Sequence, residues 1–342
     1  MTLSVSEINA IVGDEESIAL DYDGELSRKR EKLMDYYFSR PFGDEIDGQS
    51  KVVTSDVADV VEGMLPSFMR LFTQSYTVAK FIPDRSDDEQ EAEDKTNYAN
   101  YVFWRQNNGV LILHNMIKDA LLQFAGSVKV YWDDSVQTSK ETYKGLSPEE
   151  FQKLQIDPET DIDEFTENVT IVTDPSTGQQ INNVVFDAEV TRTTSNGCVK
   201  IVNIPPEEFL IASDARDFDS PRFIGQRTPK TRSQLIEMGF DKDIVSSLPA
   251  DHVDLSGEKD ARFAGVSDFR EGGTHNDPAN DVIYLGEYYM HLDVDEDGIA
   301  ELYQVFRAGD QILSHEAVDE HPFANITPIP VPHRAIGSCP AE

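Results

Sequence analysis

The clearest pattern of apolar positions along the chain lies between residues 54 and 74. Pro66 falls inside the pattern and removes one backbone hydrogen bond, so we expect a kink or a break there. Thr54 or Ser55 is placed to cap the helix. The apolar side chains follow the i, i+3, i+4, i+7 spacing of one helical stripe: Val57, Val60, Val61, Met64, Leu65, Phe68, Leu71 and Phe72.

Three further segments have the composition or spacing of helices. The first covers residues 25–38, the second covers 97–107 after an acidic run over 84–94, and the third runs from about Val110 to Phe124. Asn107-Asn108-Gly109 separates the last two, because these residues favour a turn. The first helix places a set of side chains on one side: Leu26, Arg30, Leu33 and Tyr37.

Beyond residue 126 the sequence favours strands. Ser127 to Trp132 has a strand pattern, and residues 168–212 hold three more strand-like runs. A turn over 174–178 separates the first two runs, and Asn196-Gly197 separates the last two. Because Asn-Gly between alternating apolar runs is the strongest short-range hairpin signal, we expect the last two runs to pair. Pro205 and Pro206 end the last run.

The remaining segments complete an α+β prediction, with a helical N-terminal half followed by antiparallel hairpins. Residues 222–228 favour a strand, and Thr231-x-x-Gln234 caps a short helix that ends before Gly239. Residues 282–307 favour a hairpin, whereas 250–281 favour a long polar loop. An acidic insertion over 133–167 contains one small helix, capped at Ser147. We divide the chain at 1–50, 51–135, 136–212 and 213–342.

The net charge excludes some classes of partner. Lys plus Arg number 29 against 64 Asp plus Glu, which gives a formal charge of −35. Such a surface repels DNA and anionic membrane, so affinity based on net charge is excluded, whereas passage of DNA that must not adhere is compatible. No run approaches 18 apolar residues, so we expect no membrane span, and no targeting signal is evident. The two cysteines, Cys198 and Cys339, favour a reducing compartment.

Two basic clusters interrupt the acidic composition. Residues 28–32 contain four bases, which fit a phosphate patch or, because five acids lie close by, a solvated helix face. Residues 221–236 contain four bases and no acid, and this basic island fits an acidic neighbouring subunit, phosphate or an ordinary surface. The four residues of the basic island are Arg222, Arg227, Lys230 and Arg232.

The best ion-binding signal is Asp293-x-Asp295-x-Asp297-Gly298-x-x-Glu301. Alternate carboxylates followed by a glycine match the first half of a calcium loop, and Glu301 falls at position 9. The flanks favour strands, so this is no EF-hand. The sequence fits a calcium-binding hairpin tip, with Asp293, Asp295, Asp297 and Glu301 as ligands, or a solvated turn in which Asp and Gly serve as turn formers.

Catalytic signals are weak. The chain has no H-x-x-x-H, G-x-S-x-G, P-loop or G-x-G-x-x-G motif, and its histidines are scattered. We therefore expect no enzyme and no required cofactor. An enzyme with a halophilic-type acidic surface stays open, and a deep pocket with a strongly perturbed carboxylate would favour it.

Four stretches together resemble a known family. Ser55 to Phe72 (SDVADVVEGMLPSFMRLF) is similar to a signature stretch of the portal proteins of short-tailed phages. Three more stretches resemble that family and fall in the same order, covering with the first about a third of the chain: Ile204 to Asp241, Leu292 to Phe306, and the tail from His321 to Glu342.

The resemblance implies a structural function. Portal proteins form a ring, typically of twelve subunits, at one capsid vertex, where the ring is the channel for DNA packaging and ejection. The implied partners are further copies of the chain, terminase, capsid and scaffolding proteins, tail or adaptor proteins, and double-stranded DNA that passes without specific binding. The implied location is the virion, with assembly in the host cytoplasm and no membrane.

The resemblance also implies a particular part of the portal subunit. The present chain corresponds to the mixed, wing-like part, and no pair of long stem helices flanking a clip is evident in the sequence. We therefore expect a C-terminally truncated chain. A calcium-dependent binding or structural module that uses the Asp293–Glu301 loop is the alternative function.

Overall fold

Helices dominate the N-terminal half and antiparallel strands follow, so the predicted α+β class is confirmed. The computed structural model describes residues 3–41, 48, 52–75, 77–83, 85, 88–134, 136–173, 180–195, 197–250, 257–263 and 277–342. The chain divides into two compact units, Met1–Val130 with Ile201–Glu342, and Tyr131–Lys200. The second unit is thus an insertion into the sequence of the first. Within the described ranges, no helix is both long and apolar enough to cross a membrane.

The first helix, α1, is much longer than the sequence pattern indicates. It spans Val5–Tyr37, whereas the prediction began at residue 25. A capping box explains the early start, because Glu7 N–H donates to Ser4 Oγ (3.3 Å) and Ser4 N–H donates to the Glu7 carboxylate (2.8 Å). The predicted inner face is confirmed by three buried side chains: Leu26, Arg30 and Leu33.

The second helix, α2, spans Asp56–Thr73 and continues through Pro66, so the helix does not break there, and the expected kink stays a prediction. Ser55 occupies the N-cap position, but its side chain makes no capping hydrogen bond. The predicted apolar stripe is buried only in part. Val61 and Leu65 are buried, whereas Leu71 is 72% exposed. The amphipathic pattern therefore predicted the helix correctly, but it overstated how much of the apolar stripe is buried within the single chain.

Two more helices follow. α3 spans Glu89–Tyr101, earlier than predicted, and a π-helical turn, Val102–Gln106, continues it. The predicted break is confirmed at Asn108, which has φ +52°. α4 spans Gly109–Gln123 and packs its Ile117 and Leu121 against the buried residues of α2. Asp84 and Asp87 of the acidic run lie outside the described residues.

The other elements can now be placed along the chain. The helices are α5 (Pro148–Ile156), α6 (Arg232–Glu237), α7 (Lys242–Ser247) and α8 (Gly257–Phe263). The strands are β1 (Gly126–Asp133), β2 (Val136–Leu146), β3 (Thr160–Thr173), β4 (Gln180–Ser195), β5 (Cys198–Ile204), β6 (Phe209–Ile211), β7 (Phe223–Thr231), β8 (Val282–Leu292), β9 (Glu301–Ala308), β10 (Gln311–Ala317), β11 (Phe323–Ile326), β12 (Ile329–Val331) and β13 (Arg334–Ser338).

A five-stranded antiparallel sheet, in the order β10-β9-β8-β7-β6, forms the centre of the first unit. The predicted hairpin over 282–307 is confirmed, because β8 and β9 pair from Leu285 opposite Ala308 to Leu292 opposite Glu301. α1 packs on this sheet, where Ile8 and Val12 join the core of β7, β8 and β9.

The second unit is a three-stranded antiparallel sheet, in the order β2-β4-β3, covered by α5. The predicted small helix is confirmed with its capping box at Ser147. Phe151 of α5 stacks on Phe186 of β4, with ring centroids 4.5 Å apart. The flanking strands β2 and β3 were missed inside 133–167, because polar residues on both faces hide the period of two.

The predicted pairing of β4 with β5 is wrong. β4 lies in the sheet of the second unit, whereas β5 lies in a three-stranded sheet in the order β11-β1-β5. Asn-Gly is a local signal, and the long pairings of β4 with β2 and β3 override it here. Asn196 and the turn over 174–178 lie outside the described residues.

The segment from β7 to β8 is more ordered than predicted. The capping box of Thr231 and Gln234 is confirmed at α6, and Gly239 has the expected positive φ, +95°. The expectation of a continuous loop over 250–281 is wrong for α8, whose Glu258 and Ala261 are buried. The rest of that loop, at 251–256 and 264–276, lies outside the described residues.

Candidate metal site and interaction surfaces

The acidic loop forms the tip of the β8–β9 hairpin, directly after the last paired residues of the two strands. Glu296 has φ +60° and Gly298 has φ +92°, and these two left-handed residues turn the chain back on itself. The N–H of Leu3 donates to the carbonyl of Val294 (2.8 Å) and ties the N-terminal segment to the tip.

Three of the four predicted ligands come together at this tip. One carboxylate oxygen from each of Asp293, Asp295 and Asp297 lies within 4.8 Å of the others. Backbone groups already occupy part of this cluster, because Asp297 N–H and Gly298 N–H donate to the two oxygens of Asp293 (3.0 and 2.9 Å). Glu301, the fourth predicted ligand, is exposed at the start of β9 and is outside the group.

The tip has the donor chemistry of a calcium site, since carboxylate oxygens are the ligands that calcium prefers. The same hydrogen bonds also stabilise a metal-free turn, because each Asp accepts N–H groups a few residues ahead in the chain. Both interpretations of the sequence therefore agree with the geometry, and calcium binding stays a prediction.

A buried ionic cluster, which sequence reasoning missed, joins α1 to α8. Arg30 Nη1 donates to Asp23 Oδ1 (2.8 Å) and to Glu258 Oε2 (3.5 Å). Arg262 Nη1 donates to Glu207 Oε1 (2.8 Å), and Gln123 Nε2 donates to Glu258 Oε1 (3.2 Å). The predicted solvated basic helix face is therefore wrong at Arg30, because the carboxylates of Asp23 and Glu258 replace the water around its guanidinium.

The carboxyl groups of this region have perturbed pKa values. Burial raises the pKa of Glu258 to about 7, although Arg30 opposes the shift. Burial likewise raises the pKa of Asp119 to about 6. Neither of these two groups lines the adjoining cavity of about 90 Å³, whose acidic lining residues are Asp23, Glu207 and Glu208. The packing of α8 against α1 buries Glu258, and this burial, rather than a substrate cleft, explains its raised pKa.

Two of the scattered histidines border one cavity of about 460 Å³, His291 and His321. The backbone occupies both ring nitrogens of His321, because Nε2 donates to the carbonyl of Asp219 (3.2 Å) and Nδ1 accepts from Phe323 N–H (3.4 Å). Both ring nitrogens are therefore engaged with the backbone, which leaves the ring no free nitrogen for a metal.

The basic island is largely engaged inside its own chain. Arg232 donates to the carbonyls of Val245 (2.6 Å) and Leu248 (2.7 Å), at the C-terminal end of α7. Arg222 pairs with Glu15, and Arg227 lies over the ring of Tyr284, 4.6 Å from its centroid. These arginines stabilise the fold, and of the three only Arg222 keeps about half of its side chain exposed.

Apolar and aromatic side chains are exposed on the N-terminal helices. Tyr98 and Tyr101 of α3 are 63% and 60% exposed, and Tyr36 of α1 is 41% exposed. The segment 77–83 is exposed throughout, with Ile82 81% exposed. Large exposed aromatic residues are typical of surfaces that contact another protein.

The family model described as phage SU10 portal protein matches residues 8–342, which is nearly the whole chain. No curated protein matches the sequence. The matched range includes α1 almost entirely, both units, and the acidic hairpin tip.

Proposed function

The chain belongs to the phage SU10 portal protein family, and on that premise we propose that it is a structural subunit of a ring-shaped portal at one capsid vertex. The ring is the channel for packaging and ejection of DNA, and it docks terminase on one side and the tail on the other. The family match over residues 8–342 is the observation that carries this proposal.

The charge of the chain supports a channel that does not hold DNA. Each neutralised phosphate adds salt-dependent affinity, and affinity slows transport. A formal charge of −35 keeps the subunit from gripping the phosphate backbone. The arginines of the basic island support this further, because their contacts lie within the chain.

The proposed subunit is a component of the virion, assembled in the host cytoplasm. Its partners are further copies of itself, twelve in all as in typical portal rings, together with capsid, scaffolding and tail or adaptor proteins. The role is structural, without catalysis and without a required cofactor. The raised pKa values of Glu258 and Asp119 fit this role, because burial in the fold explains them.

Measurement of the solution mass tests the proposal directly. Native mass spectrometry or light scattering of the chain should give a closed oligomer of about a dozen copies, and the same mass over a range of protein concentrations. A chain that stays monomeric at every concentration would contradict self-assembly.

We also propose calcium as the ion for the hairpin tip, on the strength of the three clustered carboxylates. In the ring, calcium would stiffen the β8–β9 tip without taking part in any reaction. Repeating the mass measurement with calcium and with a chelator separates the two functions. A mass that changes only with calcium favours the calcium-dependent module over the portal.

A further inference from the structure

We propose that the outward face of α3 packs against the outward face of α1 from a second copy of the chain, and that this contact is one of the joints of the ring. The inference rests on the proposed function and adds the two surfaces that meet. Both surfaces belong to the first unit, and both remain exposed in the single chain.

One side of α3 is already occupied by its own chain. The N–H of Phe81 donates to Thr96 Oγ1 (3.0 Å), and the N–H of Val78 donates to Asn100 Oδ1 (2.7 Å). Ala92, one turn before Thr96, is buried. Positions 92, 96 and 100 follow the i, i+4 spacing of a single helix side, so the segment 77–83 covers that side.

On the opposite side of α3, the described segment 77–83 reaches Glu91 alone, which borders a cavity together with Phe81, Ile82 and Pro83. Glu91, Asp94, Tyr98 and Tyr101 follow at i, i+3, i+7 and i+10, and at 3.6 residues per turn they lie across the helix from Thr96. We call these four residues the α3 stripe. Its two acids lie toward the N-terminal end, and its two tyrosines, both 60% or more exposed, lie toward the C-terminal end.

The acids of the α3 stripe remain available for a partner. Glu91 pairs with Lys95 (2.6 Å), and Asp94 accepts from Gln90 Nε2 (3.1 Å). Both contacts are local and exposed, and exposed pairs within a helix contribute little. Burial against a basic surface would replace them at small cost.

A complementary surface lies on α1. Arg28, Lys32 and Tyr36 follow at i, i+4 and i+8, and we call these residues the α1 stripe. Arg28 and Lys32 are exposed, and neither has an ion pair or a side-chain hydrogen bond with any other described residue. Two exposed cations on one helix side stand out in a chain with a formal charge of −35.

The two stripes match in charge, in order and in length. Each stripe has its two charges toward its N-terminal end, and toward its C-terminal end the α3 stripe has two tyrosines and the α1 stripe has one. Parallel packing therefore sets acids against bases and aromatic rings against one another. At 1.5 Å per residue, the α3 stripe from Glu91 to Tyr101 spans about 15 Å, and the α1 stripe from Arg28 to Tyr36 spans about 12 Å. This complementarity identifies the occupant as a second copy of the chain.

The pairing also has the symmetry that a ring needs. The α1 and α3 stripes are different surfaces of the same chain, so their contact is heterologous. A heterologous contact gives a ring when its rotation closes, whereas a contact between two identical patches stops at a dimer. Each subunit would then use its α3 stripe toward one neighbour and its α1 stripe toward the other.

Charge reversal of each stripe tests the pairing. The first variant carries Arg28→Glu with Lys32→Glu, and the second carries Glu91→Lys with Asp94→Lys. Each variant alone places like charges opposite each other, so the concentration needed for half-assembly should rise at least tenfold by native mass spectrometry or sedimentation velocity. All four positions are exposed, so circular dichroism should show unchanged helix content.

Recombination of the two reversals makes the test specific. A single chain with all four substitutions should assemble again, because its acidic α1 stripe meets a basic α3 stripe. An equal mixture of the two double variants should also assemble, in rings in which the variants alternate and the subunit number is even. A control variant, Lys144→Glu with Lys153→Glu, makes the same change in net charge as the first variant, but on the second unit, and should assemble normally.

The outcomes separate this inference from the proposed function. If the wild type forms a ring and both reversed variants form it equally well, the stripe pairing is overturned and the portal proposal stays intact. Loss of assembly in both variants, without recovery in the combined chain or the mixture, also overturns the pairing and indicates a different partner for each stripe. A wild-type chain that never assembles overturns both proposals.

Discussion

The burial of Glu258 links the stability of the fold to pH. Its pKa is raised to about 7 by burial, so between about pH 5 and pH 7 the folded chain holds a proton that the unfolded chain has lost. The free energy of unfolding should therefore fall as the pH rises through this range. One group with this shift contributes at most about 3 kcal/mol.

A neutral side chain at position 258 should remove this part of the pH dependence. For Glu258→Gln, the loss of stability between pH 5 and pH 8 should be smaller than for the wild type, as measured by urea unfolding at both values. Glu237→Gln, at an exposed position of α6, is the control and should keep the wild-type difference. Equal differences in all three proteins would show that Glu258 is ionised throughout.

The hairpin tip gives a second prediction for single residues. If calcium binds there, Asp295→Asn should weaken its binding at least tenfold in calorimetric titration, because the substitution removes one of three clustered carboxylates. Glu301→Gln is the matched variant and should bind nearly as well as the wild type, since Glu301 lies outside the cluster. Equal binding by the wild type and both variants would place any calcium elsewhere.

At the scale of elements, the sequence predicted the helices and strands better than it predicted which other elements they pack against. The period of α2 is correct, yet Leu71 is exposed, because an apolar stripe specifies a face and not the residues that cover it. The pairing of β4 with β5 failed because Asn-Gly is a local signal, whereas sheet order depends on contacts distant in sequence.

The carboxylates of the hairpin tip were predictable because three of them lie within five residues. The ionic cluster was not, because Arg30 and Glu258 are far apart in sequence.

The apolar side chains of α2 are buried to different degrees, so truncating them to alanine should change the stability by different amounts. In the unassembled chain, Leu65→Ala should cost about 2–4 kcal/mol of unfolding free energy, because it leaves a cavity against α4. Leu71→Ala, the matched substitution on the exposed part of the helix, should change stability by less than about 0.5 kcal/mol. Denaturant unfolding of both variants measures the difference, and a similar loss in both would mean that Leu71 is covered in solution.

At the scale of the whole molecule, the charge and the location of the bases act together. The formal charge of −35 sets a repulsive background for DNA. From the sequence alone, Arg30 and Arg232 would count as candidates for phosphate binding. In the structure they donate to a carboxylate and to a carbonyl of the same chain. A ring built from such subunits would present a surface on which DNA finds few cations to release its counterions.

This argument predicts that the assembled protein does not retain duplex DNA. At about 50 mM salt, where nonspecific phosphate contacts are strong, fluorescence anisotropy with a short duplex should give a dissociation constant weaker than about 100 μM. A control ring that contains Asp293→Lys, Asp295→Lys and Asp297→Lys should show how much affinity a few added bases create, with a steep loss on raising the salt. Tight binding by the wild type that weakens with salt would reveal a phosphate-binding surface, and the case for a passive channel would then fail.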